Sequence, residues 1–301
     1  MEMDRLYLRN SAIREGWFGT EKYFEKTGDK EFLARIWDNI VAALNWISVY
    51  GDRDNDNFIE YKRKNPYGLF HQGWRDNFEN HLKINPPVAI VEAQGYAYAA
   101  YMSGIKLAKH FSRDGSLQKI WKKKADALAA EFQKKFWWEE EQYYYLALDK
   151  NKKPKNSVSS NPGHLLFSGI VSKKATRKIV KRLFQKDMFT RFGIRTISEN
   201  EPDFNYSSYH LGSVWPHDNW IIYYGLKRLG FSKEAEQIKQ SVLSAYRELR
   251  CIPELFGVKN GEIFSLAKGA KQYEKRFHKN IKANSLQAWA VCGLLNMIWE
   301  D

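Results

Sequence analysis

The sequence predicts an all-α protein of paired helices arranged as a toroid, and three observations carry that prediction. Apolar residues recur at helical spacing through most of the 301 residues. The connections between these stripes alternate between tight turns and long loops rich in aromatic and acidic residues. The regular alternation of strands and helices that marks a parallel sheet is missing. Helical hairpins with short turns on one side and long loops on the other build a ring whose site is formed by the long loops.

The clearest stripe covers 31–49, where Phe32, Ile36, Ile40, Leu44 and Ile47 fall on one face. Similar stripes lie near 87–111, 116–135, 173–185, 213–229, 232–249 and 284–299, and a shorter helix is expected over 17–26. Eight or nine helices result. Asp29 and Ser232 stand at N-cap positions. Two connections are tight, at 27–30 and 229–233, whereas 51–86, 136–165, 186–212 and 250–283 are long. Within them Tyr143–Asp149 reads as a strand of a small β-hairpin. No low-complexity linker interrupts the pattern, so a single domain over 1–301 is expected.

Composition narrows the function. The formal net charge of +13 comes largely from Lys122–Lys124, Lys150–Lys155 and Lys173–Arg182, which are surface-helix or loop positions. No nucleic-acid recognition motif accompanies them, so they read as solvated faces, with an anionic substrate or partner left open. Eleven Trp and seventeen Tyr exceed what a core needs. Some of these rings are expected between helices and some against sugar faces. Cys251 and Cys292 match no disulfide or metal-ligand spacing and are expected as buried free thiols. The first ten residues are charged without an apolar signal core, and the longest apolar run, Ala288 to Trp299, is too short to span a bilayer. A cytoplasmic protein without a membrane partner is the expectation.

No Cys/His cluster points to zinc and no Gly-rich loop to a nucleotide, so no cofactor is expected. Asp52, Asp54 and Asp56 alternate as in a calcium loop, but the sixth position is Asn57 and the twelfth Arg63. Both departures count against an EF-hand-like site. A single calcium in another geometry stays open, and no metal ligand is assigned.

Eight short segments stand in order along the chain: QGWRDN (72–77), VEAQGYAYAA (91–100), ALD (147–149), SNPGH (160–164), GIRT (193–196), SYHLGSVWPHDN (208–219), IPELF (252–256) and LQAWA (286–290). Together they resemble the catalytic (α/α)6-barrel domain of the amylo-alpha-1,6-glucosidase, or glycogen debranching, type of glycoside hydrolase. The resemblance implies that Asp76 is the general acid and Glu254 the general base of an inverting mechanism. Two such carboxyls would lie roughly 6.5–9.5 Å apart, with a water between them. Trp74 and Phe78 flank Asp76 and would desolvate it, raising its pKa. Arg75 and Glu79 would offset one another. Glu254 stands among apolar residues, where a charge needs partners or work.

Glu92, Gln94, Tyr209, His210, Trp215, His217 and Asp218 are expected, with Trp74, to cradle the sugar, since sugar sites mix aromatic faces with fixed polar groups. His164 and Asn161 would brace the SNPGH turn, and Trp289 would close the core beneath the site. The implied substrate is an oligosaccharide with an α-glucosidic, α-1,6 or related, linkage. Complete proteins of this type carry twelve barrel helices behind a β-rich domain, so the count here predicts a barrel incomplete at its N-terminus. No Asp stands near Ser11–Arg14, where such proteins place an acidic segment, and the stretch from Gly257 to Lys282 is Lys-rich. A non-catalytic carbohydrate-binding remnant is the alternative reading.

Overall fold

Every helical stripe read from the sequence is a helix in the computed structural model, which describes residues 19–111, 115–265 and 283–299. The segment near Ser11–Arg14 and most of the Lys-rich stretch after Gly257 lie outside the described residues. The chain forms two compact units. The first comprises the residues up to Trp138 with Tyr145–Asn156 and Ser168–Val171; the second comprises Glu139–Tyr144, Ser157–Phe167 and the chain from Ser172 onward.

In the first unit, α1 (19–27) leads through a turn into α2 (Lys30–Trp46). Asp29 caps α2 as expected, its carboxylate accepting from Phe32 N at 2.9 Å. A π-helical turn, Ile47–Gly51, ends the helix and delivers the chain to the long 51–86 loop. α3 (Val91–Ala108) and α4 (Ser116–Lys135) pack closely on one another. Gly104 makes that approach possible: a Cβ there would meet Leu44 Cδ1 at 2.5 Å and the Trp121 ring at 3.2 Å. α3 is buried on most sides, which explains its mixture of small and apolar residues.

A short antiparallel sheet precedes α3. Its edge strand β1 (Ala89–Ile90) pairs with β2 (Ala147–Leu148), Ala89 opposite Leu148. β2 in turn pairs with β3 (Pro154–Lys155). The expected strand at Tyr143–Asp149 is present as two short pieces: Tyr143–Tyr144, in a two-stranded sheet, and Ala147–Leu148, which forms a hairpin with β3 and is the centre of the three-stranded sheet. Tyr61, Leu82, Ile84, Val88, Ile90, Leu146 and Ala147 form the core beneath it.

The second unit carries α5 (Lys173–Leu183), α6 (Pro216–Arg228), α7 (Ser232–Leu249) and α8 (Ala288–Trp299). α6 packs on both α7 and α8. Ser232 is the first helical residue of α7 and not its cap; Phe231 holds the cap position without a side-chain hydrogen bond. Two hairpins support these helices: β4 (Phe189–Thr190) with β5 (Gly193–Ile194), and β6 (Phe256–Lys259) with β7 (Glu262–Ser265). Phe192, Val214, Ala245, Leu249, Phe256, Val258 and Ile263 make the core.

The aromatic excess is largely spent inside: Trp121, Tyr143, Tyr144, Tyr223, Phe58 and Phe132 are among the largest fully buried side chains. Lys173, Lys174, Arg177 and Lys181 lie on the exposed side of α5, as a solvated basic face requires. Cys251 is half-buried and Cys292 exposed. The expectation of two buried thiols fails for Cys292, which α8 turns to solvent. Among the described residues no helix is long and apolar enough to cross a membrane.

Candidate active site

Asp76 belongs to the first unit and sits at the end of a tight excursion of the 51–86 loop. His71 and Asn77 form an antiparallel bridge, with His71 N donating to Asn77 O at 3.0 Å and Asn77 N to His71 O at 3.3 Å, so Gln72–Asp76 projects as a closed loop. His71 anchors its base. Its Nε2 lies 3.2 Å from the Asn80 amide oxygen, which also accepts from Ile84 N at 3.0 Å, and 3.4 Å from the Leu82 N–H; its Nδ1 lies 2.8 Å from the Tyr61 hydroxyl. Burial drives the His71 pKa down to about 4, so the ring is neutral at physiological pH.

The tip of the loop lies on the first turn of α3. Gly73 is the residue of closest approach, because a Cβ there would stand 2.7 Å from Glu92 Oε1. Glu92 accepts from Trp74 N at 3.3 Å and is 1% exposed. Trp74 and Arg75 are buried, Asp76 is half-buried, and Phe78 and Glu79 are exposed. Phe78 and Glu79 therefore do not share the buried surroundings of Trp74 and Arg75. Burial falls off steadily along the loop, from Trp74 and Arg75 to Phe78 and Glu79. Gln94 has another task than the one expected from its sequence. Its Nε2 donates to Ile59 O at 2.8 Å and Ile90 O at 2.9 Å, and its Oε1 accepts from Ile59 N at 2.8 Å. The amide clamps the 51–86 loop to the start of α3.

Glu254 belongs to the second unit, and backbone pairing fixes its segment on both sides. Ile252 bridges Leu286 in parallel, Glu254 N donates to Asn284 O at 2.9 Å, and Phe256 exchanges both backbone hydrogen bonds with Val214. Pro253, Leu255 and Phe256 are buried and hold the strand down. The Glu254 carboxylate, 4% exposed, receives four neutral donors. Tyr209 OH donates to Oε1 at 2.6 Å and Gln287 Nε2 to Oε1 at 2.8 Å; Asn284 N and Nδ2 each donate to Oε2 at 3.0 Å.

The residues around Tyr209 hold it in place. Trp215 Nε1 donates to Tyr209 O at 2.8 Å, and its ring meets the Tyr209 ring edge-on at 4.8 Å. His210 stacks on Trp215 at 4.9 Å and 9°. Tyr209, His210 and Trp215 thus form one aromatic block behind the Glu254 carboxylate. His217, 3% exposed, stacks on Trp289 at 4.6 Å. Trp289 is half-buried, where a fully closed core was expected. Asp218 and His164 are wholly buried and meet at 2.6 Å, Asp218 Oδ1 to His164 Nε2. That pair ties the 161–164 turn to α6, with Asn161 buried in the same turn.

Sequence reasoning missed Asn284 and Gln287. The signal was present, since Gln287 lies in LQAWA, two residues before the more conspicuous Trp289. Asn284 acts partly through its backbone N–H, which no sequence pattern advertises.

Solved structures of glycoside hydrolases share this fold. The mannosylglycerate hydrolase of Thermus thermophilus, of type GH63, matches in its complex with Tris at a TM-score of 0.67 and 13% identity, over 97% of this chain and 76% of that one. In its complex with glucose the figures are 0.56 and 16%, over 71% and 45%. In its complex with Tris and D-glycerate they are 0.52 and 17%, over 71% and 46%. In these last two comparisons the chain spans less than half of the matched protein. No curated protein matches the sequence. The family model of the mannosylglycerate hydrolase MGH1-like glycoside hydrolase domain matches residues 51–274, and the chain belongs to that family. The family is not specifically that of amylo-alpha-1,6-glucosidases. The loop motifs report a glycoside hydrolase of the six-hairpin kind but not the linkage cleaved.

Proposed function

We propose that the chain hydrolyses an α-glycosidic bond with inversion at the anomeric carbon, Asp76 acting as general acid and Glu254 as general base. The observation that carries this reading is Glu254 itself. A carboxylate nearly removed from solvent is costly unless its charge is used or compensated. Here four neutral donors compensate it, with no cation beside it among the described residues, and hold the carboxylate in one orientation; a donor that yields its place to a water leaves Glu254 an acceptor for that water's proton.

In the proposed reaction a water attacks the anomeric carbon and gives its proton to Glu254 as the new C–O bond forms. Asp76 delivers its proton to the glycosidic oxygen as the old C–O bond breaks, and the α-glycoside yields a β-sugar. Glu92 and Gln94 position the Asp76 loop, and Tyr209, His210 and Trp215 position Glu254; His217 and Asp218 brace the start of α6.

The substrate we favour is a short glucoside or mannoside with an anionic aglycone. The T. thermophilus relative is described in complexes with glucose and with D-glycerate. A net charge of +13 favours encounter with a carboxylate-bearing aglycone. An α-1,6-linked oligosaccharide is the competing substrate. A carbohydrate-binding protein without turnover is the second reading.

The test is hydrolysis of mannosylglycerate, glucosylglycerate and isomaltose by the wild type, Asp76→Asn and Glu254→Gln. The proposal predicts turnover of at least one substrate and a loss of roughly 10²–10⁴-fold in kcat for either variant. Saturable calorimetric binding with no turnover by the wild type would establish the binding protein instead.

A further inference from the structure

One cluster has no part in the proposed reaction. The segment Asp52–Glu60, within the first unit, places four carboxylates on nine residues. The two oxygens of Asp52 turn inward to accept from Asp56 N at 3.1 Å and Asn57 N at 3.0 Å. Asn57, at the position where a calcium loop takes glycine, has φ +76° and so supplies the left-handed turn itself. One oxygen from each of Asp52, Asp54 and Asp56 lies within 4.8 Å of the others, close enough to surround a single ion.

A cation already bridges two of these three carboxylates. The Lys152 ammonium, from the turn between β2 and β3, lies 2.9 Å from Asp54 Oδ2 and 2.7 Å from Asp56 Oδ2, and it also bonds Glu60 Oε1. The Glu60 side chain is wholly buried, and its Oε2 has no hydrogen-bond partner. An ammonium has three protons, and the three carboxylates use all of them. It brings one charge and three bonds to a loop whose carboxylates could offer a divalent ion more of both.

We propose that Lys152 is a built-in replacement for a calcium-like ion: its ammonium occupies the position of the metal in the Asp52–Glu60 loop, and removing that ammonium turns the loop into a hard-cation site. Asp52, Asp54 and Asp56 converge, and Glu60 shares the Lys152 ammonium with two of them; with water they supply oxygens of the kind such an ion takes, six to eight in all. Burial would lower the Lys152 pKa, but its bonds to Asp56, Glu60 and Asp54 outweigh burial and raise it, so the charge persists across the working pH range. The wild type therefore organises this loop without metal. The loop matters to the candidate site because Ile59 is the residue clamped by Gln94.

Thermal unfolding of the wild type and of Lys152→Met, each in EDTA and in millimolar calcium, tests the proposal. The wild-type Tm should be the same in both buffers. Lys152→Met should melt several degrees lower in EDTA and regain roughly 5 °C or more in calcium. Calorimetry should show calcium binding to the variant alone. A wild type stabilised by calcium as strongly as the variant would overturn the proposal, and so would a variant indifferent to calcium. If Lys152→Met does not fold without metal, refolding from urea with calcium or EDTA asks the same question. Recovery only with calcium supports the replacement, and recovery in neither contradicts it.

Discussion

Tyr209 is the residue through which the Glu254 carboxylate is most sharply oriented, by a 2.6 Å hydrogen bond from a ring locked against Trp215 and His210. A hydrogen bond to a charged group contributes roughly 1.5–3 kcal/mol. Tyr209→Phe should therefore lower kcat by about tenfold or more while KM moves little, as steady-state kinetics would show. His71 makes the opposite kind of statement, about acid. Its ordinary pKa of 6.5 falls to about 4 in the folded unit because burial disfavours the imidazolium. As pH drops from about 6.5 to about 4, the unfolded chain takes up a proton that the folded unit refuses. Stability therefore declines over that window, by about 3 kcal/mol from this residue. Urea melts across that range should show a shallower decline for His71→Asn than for the wild type.

At the scale of elements, the two units use the same device to start a helix beside a loop. Gln94 clamps Ile59 and Ile90 in the first unit; in the second, Asn219 accepts from Ile194 N at 2.7 Å and donates to Ile194 O at 3.0 Å and Trp215 O at 2.9 Å. Gln94→Leu strands buried backbone groups and should cost roughly 3–5 kcal/mol in denaturant melts. Gly104→Ala sets helix propensity, a gain of up to about 1 kcal/mol, against a Cβ 2.5 Å from the buried Leu44. Overpacking costs about 1–3 kcal/mol, so the variant should be net destabilised by about 1 kcal/mol. The helices were legible in the sequence because burial on one face imposes a 3.6-residue period that strands cannot imitate. Roles were less legible. Glu92 and Gln94 read as sugar ligands because sequence reveals a polar group in a motif but not the backbone groups awaiting it. Lys152 was read as part of a solvated basic run, since its carboxylate partners lie far away in the chain.

For the whole molecule, the order of the eight loop segments revealed a glycoside hydrolase but named a narrower type than the family match supports. Acid and base chemistry fixes short motifs around the carboxyls, whereas linkage specificity resides in pocket shape, distributed over many residues. The MGH1-like family match over residues 51–274 carries the assignment to glycoside hydrolases. The most direct measurement follows wild-type hydrolysis of an α-glycoside by proton NMR before the product mutarotates. The account predicts that the β-anomer appears first, and that this signal is lost in Glu254→Gln. Initial release of the α-anomer, or unchanged turnover in that variant, would contradict it.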